Sequence, residues 1–145
     1  MPLYDSLLPG SICEIMSDKG LAQIGDNLVN FCYSLAKSVV LGKMAGQKVR
    51  DSVLARAIRA TSVYQYMRRR TDAGKAADAY EAIMAWLWMK NLIDVQFIVR
   101  FLVENISMNS TTNRTKEGEI AAFAFQKLLE VVVKKLPANR VEGKN

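Results

Sequence analysis

With no histidine among 145 residues, Ser–His, Cys–His and histidine–metal chemistry are excluded. Any acid, base or hard-metal site must be built from the 14 Asp and Glu. Two of these stand in an unexpected place. From Ala79 to Met89, the residues Tyr80, Ile83, Met84, Trp86, Leu87, Trp88 and Met89 cover nearly the whole circumference of a helix, the pattern of a buried element. Glu81 lies inside this stretch, and Asp78 sits one turn before it on the same side. An unpaired ionised carboxylate there costs several kcal/mol.

A second polar group is carried by an earlier segment. Gln23, Asp26, Asn27 and Asn30 recur at helical spacing, opposite the apolar Leu21, Ile24, Leu28 and Phe31. Gly25 falls mid-segment, where glycine costs about 1 kcal/mol relative to alanine; close approach of another backbone or of a partner chain explains it. The polar stripe reads as a solvated face, and Asp78 and Glu81 as partners of Lys75 or of arginines. The alternative is a hard-metal site, for which carboxylates without nitrogen or sulfur ligands select Mg2+ or Mn2+.

The elements that must position these groups are helices. Only Pro2, Pro9 and Pro137 interrupt the chain, and apolar spacings of three and four recur while period-two alternation is rare. The pattern predicts helices over about Leu21 to Leu41, Asp51 to Arg59, Thr61 to Arg70, Ala73 to Lys90, Asp94 to Glu104 and Lys116 to Lys135. Ser17 or Asp18 caps the first of them and Gly42 stops it; Thr71 or Asp72 caps the fourth. Asn105 to Thr115 reads as a loop. The expected organisation is one all-α domain over 1–137 with a polar tail over 138–145.

Composition agrees with a folded chain: half the residues are apolar, 23% are charged, and 20 Lys and Arg give a formal charge of +6. The charge favours association with a polyanion without specifying one. Cys13 and Cys32 have no paired spacing and read as reduced thiols. No apolar run approaches the roughly 20 residues that span a bilayer, and no secretory pattern opens the sequence. The expected compartment is the cytoplasm. The three Asn-x-Ser/Thr sites between Asn105 and Thr115 then mean only a polar loop.

Two motifs together carry a resemblance. Leu21-Ala-Gln-Ile-Gly-Asp-Asn-Leu28 resembles the signature helix of the ribonuclease III family, and Asp78-Ala-Tyr-Glu-Ala-Ile-Met-Ala85 resembles its second motif. The resemblance implies a compact helical endonuclease domain, dimeric through the signature helix, that uses Mg2+, or Mn2+ in its place, to hydrolyse phosphodiesters of double-stranded or structured RNA. Asp26, Asp78 and Glu81 match the family's metal-binding carboxylates and are the expected catalytic residues. Ala22, Gly25 and Val29 are expected at the dimer seam. Arg68, Arg69, Arg70 and Lys75 are expected to meet RNA phosphates; Lys37, Lys43, Lys48 and Arg50 read as ordinary surface charges. No small-molecule cofactor and no membrane are expected.

The sequence departs from the family pattern at Ala22, where a glutamate four residues before the aspartate is usual. The smaller Mini-III members look similar here, and as in them no double-stranded RNA-binding domain is expected to follow this one. Asp18, a turn earlier, stands in for the missing ligand if the helix begins early. The rival expectation is a non-catalytic member that binds RNA or protein.

Overall fold

A computed structural model describes residues 3–67 and 71–137. Among these the secondary structure is helical, with no strand. In chain order the helices are α1 (Ile12–Met16), α2 (Lys19–Leu41), α3 (Asp51–Arg59), α4 (Ala73–Met89), α5 (Val95–Asn105) and α6 (Arg114–Val132). Short 3-10 turns occupy Asp5–Leu7, Ser62–Tyr66 and Val133–Lys135. The third expected helix, Thr61 to Arg70, is only the turn Ser62–Tyr66, and Arg68, Arg69 and Arg70 lie outside the described residues. α1 was not expected; five residues are too short to show a period.

Five of these helices start on a side chain that accepts from the backbone; at α1 it is Ser11, accepting from the amide of Glu14 at 3.3 Å. Asp18 accepts from the amide of Leu21 at 3.0 Å, Asp72 from Lys75 at 2.8 Å, Asp94 from Phe97 at 2.8 Å and Asn113 from Lys116 at 2.8 Å. Each satisfies one of the amides that a helix start leaves unpaired. Gly42 ends α2 in the left-handed region at φ 75°, where glycine carries no Cβ penalty.

The core is organised around α4, which is buried from Ala76 to Leu87 apart from the half-exposed Asp78. α2, α3 and α1 pack against it, and α6 packs on α3. Tyr80 is fully buried, its ring edge-on to Phe125 and its hydroxyl donating to the Phe125 carbonyl at 2.5 Å. Trp86 is buried too, and its indole N–H donates to the Pro9 carbonyl at 2.8 Å. The α2–α6 seam holds a polar network: Lys37 pairs with Glu117 at 3.0 Å, Tyr33 donates to Glu117, and Lys37 donates to Gln47. Lys37 is therefore a structural cation with a largely covered side chain rather than a surface charge. Among the described residues no helix is long and apolar enough to cross a membrane.

Candidate active site

Asp26 lies on the second turn of α2, Glu81 at the middle of α4 and Asp78 one turn before it. What brings the two helices together is Gly25. A Cβ on Gly25 would stand 1.8 Å from the Glu81 carbonyl oxygen, a distance no side chain tolerates. The backbones of α2 and α4 therefore touch at the residues next to, and carrying, two of the three carboxylates. Gly25 is buried by its own chain, as are Ala22 and Val29 at 5% and 2% exposure. The expectation that these three small residues form a dimer seam is corrected: their side of α2 is occupied by α4.

The carboxylates differ sharply in environment. Glu81 is 4% exposed, and among the described residues no lysine or arginine forms an ion pair with it. Burial first, then the hydrogen bond and charge of Asp26 and the charges of Asp78 and Asp51, push its carboxyl up to about 9. At neutral pH it is protonated. Asp78 is half-buried and is also raised, chiefly by burial, with Lys19 opposing and Asp51, Asp26 and Asp72 reinforcing the shift. Asp26 goes the other way. Burial works against its charge, but Lys48, Glu81 and Asn30 outweigh that and leave it below the ordinary value. Lys48 bonds Asp26 at 2.9 Å, and the Asn30 amide donates to the same oxygen at 3.2 Å. Asn30 also accepts from the Val49 amide at 2.7 Å, which ties residues 43–50 to α2 and brings Lys48 over Asp26.

Three residues of this site escaped the sequence reading. In the sequence Lys48 reads as a surface charge; only the return of its loop onto Asn30 brings it to Asp26. Asp51 opens α3 next to the start of α4, its carboxylate 3.9 Å from where a Cβ on Gly74 would lie. Its charge is felt by Asp78, Glu81 and Lys48. In the sequence it is indistinguishable from any acidic residue in a first turn. Lys19, likewise, acts on Asp78 from the start of α2. Asp18 is not a substitute for the missing glutamate. Its carboxylate caps α2, and the helix begins after it.

A buried acid, two partly buried neighbours and a fourth carboxylate beside them gather four carboxyl groups in one place, met among the described residues only by Lys48 at Asp26 and Lys19 near Asp78. That is the donor set of a hard divalent cation. Among the described residues, however, no three Asp, Glu or Cys side chains are grouped so that they could hold a metal ion. Of the expected RNA contacts, Lys75 is exposed on the first turn of α4, on the same helix as Asp78.

Residues 19–138, most of the chain, match the family model described as Ribonuclease III. No curated protein matches the chain.

Proposed function

We propose, for a chain that belongs to the ribonuclease III family, that it is a metal-dependent endoribonuclease acting on double-stranded or structured RNA. The observation that carries this reading is Glu81. A carboxyl group buried near two other acids, with no protein cation bonded to it among the described residues, costs stability. It is accounted for by a divalent cation held among Asp26, Asp78 and Glu81. Mg2+, or Mn2+ as a substitute, when bound there supplies a Lewis acid for phosphodiester hydrolysis.

The protein's own part can be followed group by group. Glu81 must release its proton to bind a cation, so loading competes with protons near neutral pH. Asp26 is already ionised and is held in orientation by Asn30 and Lys48. Lys48 must give up its bond to Asp26, or share it, and is then free to face a phosphate. Lys75, and Arg68, Arg69 and Arg70 before it in sequence, supply positive charge for the RNA backbone, which A-form recognition by shape and phosphate requires.

A homodimer belongs to the same proposal, but through a different face of α2. Ile24, Leu28, Phe31, Leu35 and Val39 follow helical spacing on the side away from α4; Ile24, Phe31 and Val39 are 43%, 56% and 62% exposed. A continuous apolar stripe of this kind on a surface helix marks a contact surface.

The reading is tested with end-labelled double-stranded RNA in Mg2+ or EDTA, beside Glu81→Gln. Discrete Mg2+-dependent products that vanish in the variant support it. The second reading, a non-catalytic RNA-binding member, is favoured by Ala22, whose buried methyl leaves one fewer carboxylate than the family pattern. Intact RNA with a gel shift under all conditions would establish that reading.

A further inference from the structure

Beside Asp78 the surface opens into a cavity of about 270 Å3. Its wall is built from α1 (Cys13 and Met16) and from Tyr66 and Met67 at the end of the 3-10 turn; Lys19, Lys75 and Asp78 stand at its edge. The cavity is bound into the fold, since the Cys13 thiol donates to the Tyr66 carbonyl at 3.4 Å. Asp18, also on the lining, has an oxygen committed to capping α2. Lys19 and Lys75 are exposed, and among the described residues neither is held in an ion pair.

An aromatic ring with thioethers beside it accepts a flat π-system. The exposed ammonium groups of Lys19 and Lys75 in the lining offset the Asp18 and Asp78 carboxylates there and leave N–H donors for a phosphate. The volume is slightly below the ~300 Å3 at which small-molecule sites begin, enough for one base with its sugar and too small for a stacked pair. A nucleotide combines these properties, and the position beside Asp78 puts it next to the proposed hydrolytic centre. Bases inside an A-form duplex are stacked and paired and cannot enter; unpaired ones can be splayed out onto aromatic side chains.

We propose that this cavity receives one unpaired nucleotide of the RNA strand beside the bond to be cut, its base against Tyr66 and Met67 and its phosphate at Lys19 and Lys75. The preferred substrate is then a duplex interrupted by a bulge at the cleavage position rather than a continuous one. This inference rests on the endoribonuclease reading above and refines its substrate.

Two binding measurements on the full chain in EDTA test it. Adenosine and uridine 5′-monophosphate are titrated while the NMR signals of Cys13, Tyr66 and Met67 are followed. Two RNA duplexes that differ only by a single-nucleotide bulge are then compared for affinity. The expected results are nucleotide-induced shifts at those three residues and at least about fivefold tighter binding of the bulged duplex, the lower end of what one base–aromatic stack supplies. Tyr66→Ala and Lys75→Glu should each reduce that preference, and Lys75, being exposed, can be replaced without loss of the fold. Equal affinity for the two duplexes, nucleotide shifts elsewhere, or a preference untouched by both variants overturns the proposal. If a continuous duplex is nevertheless cut in Mg2+, the nuclease reading survives and only the cavity assignment falls. A bulge preference that depends on Tyr66, with no cleavage in Mg2+, supports the cavity and overturns the nuclease.

Discussion

At the scale of single residues, Glu81 dominates. Its carboxyl is raised from 4.5 to about 9, so between those values the folded chain binds a proton that the unfolded chain has lost. Stability therefore falls as pH rises through that window and is fully retained only below the unfolded value. In EDTA the melting temperature should decline from about pH 5 to pH 9, and Glu81→Gln, which carries no charge to bury, should flatten the decline. Melts of the two proteins across this range decide it; parallel curves would mean that Glu81 ionises without strain. Mn2+ added at pH 8 should raise the melting temperature of the parent and leave the variant nearly unmoved. Lys48→Ala offers a contrast. The pair with Asp26 is exposed, so its loss should change stability by less than about 1 kcal/mol, while weakening RNA binding or cleavage. A stability loss well above that would show the bond to be structural. Asp78 and Glu81 could be singled out from sequence because carboxylates in an apolar helix are anomalous on their face. Lys48 and Asp51 could not, because nothing local distinguishes a charge that returns to a site from one that faces water.

Among the elements, the crossing of α2 and α4 is the tightest constraint. Gly25→Ala places a methyl group inside the Glu81 peptide and forces the helices apart, which should cost about 3 kcal/mol or more. Urea unfolding measures it, and an unchanged midpoint would mean that α2 slides freely on α4. Asp18→Ala, which removes the cap of α2, should cost about 1 kcal/mol, read from the same curves, with Mg2+-dependent cleavage retained. Loss of cleavage at full stability would restore Asp18 as a ligand. The helices themselves were legible because α2, α3, α4, α5 and α6 each carry apolar residues at helical spacing, and Asp18 and Asp72 mark the starts of α2 and α4; the cap of α6, Asn113, was lost among the polar residues of the loop before it. Gly25 showed in sequence that something approaches α2 closely. It could not show whether that neighbour is α4 or a second chain, since both leave the same mark. The short turn at Ser62–Tyr66 was read as a full helix because its apolar residues fit either period.

For the molecule as a whole, the exposed stripe of α2 sets the expected assembly. Phe31→Glu places a charge at its centre and should convert a dimer to a monomer in sedimentation, while the melting temperature at low concentration stays close to that of the parent. A parent chain that is already monomeric at micromolar concentration would remove the dimer from the proposal. The sequence reading placed this contact at Ala22, Gly25 and Val29, a side of α2 that α4 covers. A helix with two apolar faces does not reveal which one is covered by its own fold, and here Ala22, Gly25 and Val29 are covered first.

Since Gly25 rests on the peptide of Glu81 itself, the separation of Asp26 from Glu81 is set by two backbones in contact and not by loops or long side chains. Such a spacing behaves like a gauge block. Warming loosens loops and rotamers gradually, but it cannot stretch a van der Waals contact between two helices without separating them. The cation affinity proposed for the site should thus stay nearly constant up to the melting transition and be lost in a single step there.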